Sequence, residues 1–311
     1  MNQSESRDTD SGQPPIEQVI ERVRKIYGGW TRTTTVEQMR RDWDDLFWTD
    51  AFPATGQEIF AVGVDATWID ATTAGSEKVL LYFHGGGFQV GSVKSHRDLM
   101  ARLSAAANCR VLGVNYRRAP EHRFPAPIED AVAAYQWLQT QGFAPEHIAF
   151  AGDSAGGGLV LSTMLALRGK GLPLPAAGVA LSAWTDLAAT GGSYETRAQA
   201  DPIHQRRMIL AMAKNYLGEA DARDPLASPL YADLRGLPPL LLQVGDRETV
   251  LDDSRNFAEK ALAAGVEVKL EVWDEMIHVF QQFTTELPQA RSAIESIGDF
   301  LKKVWHQGGT H

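Results

Sequence analysis

The sequence predicts an α/β fold, a mostly parallel central sheet with helices on both faces and a helical cap. Three observations point there. Short apolar runs alternate with helix-patterned stretches along most of the chain, the runs are near-continuously apolar, and they end in Gly- or Asp-rich turns. Near-continuous apolar strands are buried on both faces, as in a parallel sheet between helical layers. With 311 residues and 44% hydrophobic content, the chain can bury one sizeable core.

The elements follow in order. Met1 to Pro15, rich in Ser, Asp, Gln, Gly and Pro, predicts a disordered or loosely attached tail. Ile16, Val19, Ile20, Val23 and Ile26 recur at helical spacing up to a Gly28-Gly29 stop, and Val36 to Leu46 is a second amphipathic stretch. The strand–helix rhythm opens near Glu58, with Phe60–Val64 and Ala66–Ile69 as a strand or hairpin. Strands are then expected at Lys78–Phe83, Arg110–Asn115, Ile148–Gly152, Gly178–Ser182, Leu240–Val244 and Val266–Val272. Helices are expected at His96–Ala107, Ala126–Thr140, Ala155–Arg168, Val250–Ala264 and Gln289–His306.

One interval breaks the rhythm. From Trp184 to Leu237 there is no strand pattern, only turn residues and a helical stretch around Arg206–Tyr216. About 50 residues is too long for a simple connection in a compact domain, so it reads as an insertion over the sheet. The expected organisation is therefore 1–55 as N-terminal tail and cap helices, and 56–311 as the main α/β domain, with 185–236 as a cap insertion.

Composition excludes several classes. Thirty Lys and Arg against 39 Asp and Glu leave a formal charge of −9, and no basic cluster appears that would neutralise nucleic-acid phosphates. Apolar runs fall short of the roughly 20 residues of a membrane helix, so no membrane span is expected. The start of the chain lacks the basic and apolar regions of a secretory signal. A single cysteine, Cys109, precludes an intramolecular disulfide and fits a reducing compartment, so a cytoplasmic location is expected.

Chemistry enters at Gly152-Asp153-Ser154-Ala155-Gly156, which follows one expected strand and opens a small-residue helix. This is the strand–turn–helix setting of a nucleophile elbow. A serine there sits in a sharp, strained turn, and a Cβ two residues to either side would collide with neighbouring backbone. The pattern alone arises by chance in glycine-rich chains; its position between strand and helix singles out Ser154 as the nucleophile. The helix N-terminus beyond it directs free N–H groups towards developing negative charge.

His84-Gly85-Gly86-Gly87 ends another strand. Consecutive glycines let backbone N–H groups face a ligand unobstructed, and one such donor to an oxyanion contributes about 3–4 kcal/mol in acyl transfer. The expected oxyanion donors are the N–H groups of Gly86, Gly87 and Ala155. A merely flexible loop would explain neither His84 nor the strand placement. His84 itself reads as a shaper of that loop.

The order expected in this setting is Ser, then Asp or Glu, then His. His204, His278, His306 and His311 lie downstream of Ser154. His306 and His311 fall in the terminal helix or tail and His204 in the insertion, whereas His278 follows the last strand, at the carboxyl ends where a site forms. His278 is the expected base. For the acid, Asp246, Glu248, Asp252 and Asp253 all follow the Leu240–Val244 strand. Asp252 and Asp253 fall one turn into a helix that they would cap. Glu248, three residues past Gly245, is preferred to Asp246 because it can reach back to the histidine.

These motifs resemble the hormone-sensitive-lipase-like family of bacterial carboxylesterases, a branch of the α/β-hydrolases. The resemblance spans roughly Lys78 to His278. It rests on His84-Gly85-Gly86-Gly87-Phe88, Tyr116-Arg117, Ala119-Pro120-Glu121-His122, Phe124-Pro125-Ala126, the Ser154 elbow, Gly245, Glu248, Leu251-Asp252-Asp253 and Met276-Ile277-His278. Much of the family has Asp-Pro-Leu at the acid position; Glu248-Thr249-Val250 stands there here, which implies the glutamate-using subgroup. The resemblance implies an α/β-hydrolase fold, a cap built from an N-terminal segment and a later insertion, and hydrolysis of short- to medium-chain carboxylic esters without metal or cofactor. It also admits lactone hydrolysis by the same triad, and implies a homodimer.

Other candidates read as scaffold. Tyr116-Arg117 and Glu121-His122-Arg123 fit an ion-paired structural loop, Asp153 a buried hydrogen-bond acceptor, and Asp186 another scaffold acid. For the pocket, apolar walls are expected from Phe88, Trp184, Ile203, Met208, Ile277 and Phe280, with Val279, Trp30, Met39, Trp43 and Met212 as further contributors. A non-catalytic small-molecule-binding protein on the same fold is the competing reading; His278 retained beside Ser154 and Glu248 speaks against it. A peptidase on this fold is disfavoured by the triple-glycine loop.

Overall fold

In a computed structural model, the described residues are 13–307 apart from 32, 62 and 72–76. Residues 1–12 of the expected tail, and His311, lie outside them. The strands of the described residues are β1 (Thr55–Ala61), β2 (Val64–Asp70), β3 (Val79–Phe83), β4 (Arg110–Asn115), β5 (Ile148–Asp153), β6 (Ala177–Leu181), β7 (Leu240–Gly245) and β8 (Val268–Trp273). They form one eight-stranded sheet in the order β1-β2-β4-β3-β5-β6-β7-β8. β1 pairs with β2 and β2 with β4 in antiparallel fashion; from β4 to β8 every pair is parallel.

Helices cover both faces: α1 (Pro15–Gly29), α2 (Val36–Phe47), α3 (Arg97–Ala107), α4 (Ala126–Thr140), α5 (Ala155–Gly169), α6 (Ser193–Thr196), α7 (Arg206–Leu217), α8 (Leu251–Ala263) and α9 (Pro288–Gln307). The period of two in β3 distributes the core. Val79, Leu81 and Phe83 join a cluster with Ala131 and Tyr135 of α4 and Leu159 and Val160 of α5. Leu80 and Tyr82 join the opposite cluster with Leu99 and Leu103 of α3 and Ile297 and Leu301 of α9. A central strand apolar at every position thus serves two layers. No helix of the described residues is long and apolar enough to cross a membrane.

Boundaries differ from the pattern at informative places. β1 begins at Thr55, pairing with Asp70, so the sheet starts before Glu58. β8 begins at Val268 because Val266 donates its N–H back to Ala261 O, finishing the α8 terminus through Gly265 at φ +81°. Ser182 leaves β6 at φ +47°.

The two intervals outside the rhythm converge. α1 buries Ile16, Val19, Ile20 and Val23 against Ile203, Met276, Ile277 and Phe280. Thr35 caps α2 by accepting from Gln38 N at 3.2 Å. Arg40 of α2 donates to Gln89 O, Ala119 O and both oxygens of Glu121. Between β6 and β7 runs the strandless interval with α6 and α7, as its turn-rich composition indicates.

Candidate active site

Ser154 occupies the turn between β5 and α5 at φ 55°, ψ −119°, a region that a side chain enters only under strain of about 1–3 kcal/mol. Neighbouring backbone holds it there. Ser154 N–H donates to Leu181 O at 2.8 Å, and Ser154 O accepts from Trp184 N at 3.0 Å. The flanking glycines are steric necessities: a Cβ on Gly152 would stand 2.6 Å from Phe83 O, and one on Gly156 2.6 Å from His84 O and closer still to Phe83 O.

His278 reaches this turn from the loop after β8. Its Nε2 lies 2.8 Å from Ser154 Oγ and its Nδ1 2.8 Å from Glu248 Oε2. The carboxylate can only accept, so Nδ1 carries the proton and Nε2 accepts from the serine hydroxyl. Glu248 is fully buried, and its Oε1 accepts from Ser182 Oγ at 2.8 Å and from Gly245 N–H. Burial opposes charge on His278, but the hydrogen bond and charge of Glu248, helped by Asp201 and Asp153, raise its pKa above the ordinary 6.5. Asp246 is half-buried; its N–H donates to Trp273 O and its carboxylate does not bond His278. Asp252 and Asp253 brace the insertion: Asp252 accepts from Ser193 N, and Asp253 from Thr185 N and Asp186 N.

The glycine loop is tied to the elbow by Asp153. This buried carboxylate accepts from Tyr82 OH at 2.7 Å and Gly85 N at 3.0 Å, and His96 Nε2 lies 3.3 Å away. Burial would raise its pKa; the charge and hydrogen bond of His96 and the hydrogen bond of Tyr82 outweigh that and lower it. His84 places Nδ1 2.8 Å from Gly85 O and stacks on Tyr116, whose hydroxyl donates to His84 O. Gly86 turns at φ +113°, where a Cβ would strike Val90 O, and its own carbonyl accepts from Gln89 N and Val90 N. No described residue accepts from the N–H of Gly86 or Gly87. Both glycines and Ser154 line one cavity of about 300 Å³, and Ala155 provides the first N–H of α5, which has no intrahelical acceptor. Arg117 pairs with Asp130 and Glu129, and Glu121 with Arg40, whose hydrogen bonds hold the Glu121 carboxyl down at about 2.

The cavity walls come from both irregular intervals. α1, α2 and the link between them supply Tyr27, Trp30, Thr31, Val36, Met39 and Trp43; the insertion supplies His204, Met208, Ala211, Met212 and Asn215.

Comparison with known proteins places this geometry. A family profile described as the α/β hydrolase fold matches residues 80–282. An acetyl-hydrolase of Streptomyces hygroscopicus is 43% identical over 295 residues, covering 93% of this chain and 98% of that protein. An esterase of Acinetobacter venetianus is 36% identical, covering 74% of this chain and 77% of its own length. The crystal structure of an esterase from the bacterial hormone-sensitive lipase family superposes with a TM-score of 0.90 at 47% identity, covering 94% of this chain and 99% of that one. The chain belongs to the α/β-hydrolase family. Within it, the chain is a carboxylic ester hydrolase of the bacterial hormone-sensitive-lipase-like branch.

In this hydrolase the structure brings Ser154, His278 and Glu248 together and sets Gly86 and Gly87 beside them. The expected pocket residues divide. Met208 lines the cavity, as do Trp30, Met39, Trp43 and Met212. Phe88, Trp184, Ile203, Ile277 and Phe280 do not line it. Phe88 stacks on Tyr216 at 3.8 Å beside Trp184, while Ile203, Ile277 and Phe280 pack beneath α1. These side chains pack in the core clusters behind the site. Sequence reasoning set His204 aside as an insertion residue and did not single out Tyr27, yet both line the cavity. A lone histidine in an insertion carries no spacing signal, and Tyr27 follows the apolar stripe of a helix.

Proposed function

We propose that this hydrolase cleaves short- to medium-chain carboxylic esters through an acyl-enzyme on Ser154. The observation that carries the reading is the unbroken relay from Glu248 Oε2 to His278 Nδ1 and from His278 Nε2 to Ser154 Oγ, 2.8 Å at each step. His278 takes the hydroxyl proton as Ser154 Oγ attacks the ester carbonyl, and Glu248 holds the ring tautomer and stabilises the imidazolium. The N–H groups of Gly86, Gly87 and Ala155 receive the oxyanion. His278 returns the proton to the departing alcohol. Water, deprotonated by the same ring, then releases the carboxylic acid.

A cavity of about 300 Å³ supports small substrates. So does the acetyl-hydrolase name borne by the Streptomyces relative. In this reading residues 1–55 and 185–236 act together as a cap on the catalytic domain, a reading supported by Tyr27 to Trp43 of the first span and His204 to Asn215 of the second, which contribute residues to the cavity over Ser154. The enzyme works on small-molecule esters in the cytoplasm, as the single buried Cys109 permits, and pairs as a homodimer in keeping with the family resemblance. A lactone is the same acyl transfer on a ring.

The test is turnover of p-nitrophenyl esters from acetate to octanoate, with a lactone series beside them. Mass spectrometry after rapid quenching should find the acyl group on the peptide containing Ser154. Binding of esters without turnover would favour a non-catalytic small-molecule binder.

A further inference from the structure

One buried titratable group on the cavity wall plays no part in that mechanism. His204 lies between α6 and α7 and is 6% exposed. Asp201 fixes its loop: Oδ1 accepts from Ile203 N and His204 N, and Oδ2 from Thr249 N and Thr249 Oγ1. Thr249 follows Glu248 in the chain, so the segment carrying His204 is fastened to the segment carrying the acid. The ring stands at 88° to that of His278, with centroids 4.3 Å apart.

This imidazole is short of partners. Its Nδ1 is buried with no hydrogen bond, although the ring borders the cavity beside Ser154. The lining of that cavity is mainly apolar and aromatic, with Thr31, Gln89, Ser154 and Asn215 as its non-aromatic polar side chains. Burial, and then the charge of His278, hold His204 well below the ordinary histidine range, so it stays neutral with one N–H donor and one acceptor nitrogen. A desolvated polar group of this kind is unfavourable until a bound molecule completes it.

The side of the substrate that it meets follows from the chemistry. His278 hands its proton to the leaving oxygen, so the alcohol portion of the ester lies against His278, where His204 stands. We propose that His204 is a specificity-determining residue that hydrogen-bonds a hydroxyl on the alcohol portion, so that the preferred substrates are monoesters of diols and polyols. The proposal rests on the ester-hydrolase reading and adds to it the class of alcohol. A site built to bond a hydroxyl rejects the analogue lacking it far more strongly than an apolar pocket rejects an added hydroxyl.

The experiment compares 2-hydroxyethyl butanoate with propyl butanoate, which differ by a hydroxyl in place of a methyl group, followed by pH-stat titration. The readout is the ratio of their kcat/KM values within each variant, so that general damage to the site and differences in intrinsic reactivity cancel. Relative to wild type, His204→Phe should lower this ratio by about three- to tenfold, as expected for one hydrogen bond. His204→Gln should keep most of the preference, and His204→Leu serves where the phenyl ring is not accommodated. An unchanged ratio in the Phe or Leu variant overturns the proposal, since packing against His278 alone would slow both esters equally. Wild type that fails even on p-nitrophenyl butanoate would overturn the ester-hydrolase reading, and this inference with it.

Discussion

Ser182 connects the acid and the base of the relay through one hydroxyl group. Its Oγ donates to Glu248 Oε1 at 2.8 Å and accepts from Val279 N at 3.1 Å, next to His278. The left-handed backbone at Ser182, φ +47°, aims the side chain between the two loops. With Oε1 engaged by Ser182 and Gly245, Oε2 is the oxygen presented to His278.

Ser182→Ala should therefore lower kcat by about 10- to 100-fold with little change in KM, the range for losing a hydrogen bond to a buried charge. Glu248→Gln should cost more, up to about 10⁴-fold in kcat, because the ring tautomer is no longer enforced. Asp246→Asn should stay within a few-fold of wild type. Steady-state kinetics on one p-nitrophenyl ester separates the three, and the reverse ranking of Glu248→Gln and Asp246→Asn would move the acid to Asp246.

Ser154→Ala should reduce turnover by at least about 10⁴-fold while the chain stays folded. Ser154→Gly should be equally inactive yet melt at or above the wild-type temperature. Relief of about 1–3 kcal/mol of backbone strain exceeds the roughly 0.5–1 kcal/mol that glycine forfeits in the unfolded chain. A clear fall in Tm for Ser154→Gly would contradict the strained elbow.

The raised pKa of His278 gives activity and stability opposite pH trends. Catalysis needs the neutral ring, so kcat/KM should rise with pH through a midpoint above 6.5. A base whose folded pKa is raised stabilises the fold fully below its unfolded value, and that contribution is lost as pH rises through the folded value. Glu248→Gln should shift the acid limb of the rate profile to lower pH. A limb that stays in place would separate His278 from Glu248.

The cavity wall should set acyl length. Met212 Sδ lies 2.7 Å from where a Cβ on Gly87 would be, so Met212→Trp adds bulk directly over the glycine loop. It should depress octanoate turnover relative to acetate by about 10-fold or more, the scale of a few methylenes denied burial. Equal loss on both esters would place the chain-length pocket elsewhere.

Arg40 tests the attachment of α2. Its bonds to Gln89 O and Ala119 O are partly buried, while its Glu121 partner is 45% exposed, so the ion pair itself adds little. Arg40→Ala should lower stability by about 1–2 kcal/mol and raise KM by loosening α2, which carries Val36, Met39 and Trp43 to the cavity. A calorimetric scan and a KM series on one ester measure both.

Local chemistry determined much of this protein from sequence alone. The near-continuous apolar runs, alternating with helix-patterned stretches, indicate parallel strands buried between helical layers, and Val79–Phe83 feeds two core clusters as that pattern requires. Gly152, Ser154 and Gly156 are legible because their spacing answers a local steric demand, and Glu248 and His278 because each follows a strand end. Those constraints act over a few residues, so they survive in the linear text. Wall and partner assignments arise across hundreds of positions and do not. Tertiary structure alone decided that Phe88 stacks on Tyr216 instead of facing the cavity, and that Asp201 ties the insertion to Thr249. It also set the His204 ring against that of His278. The strandless interval announced an insertion, but which of its side chains meet the site depends on how it packs on α1 and α2, and no period or motif encodes that contact.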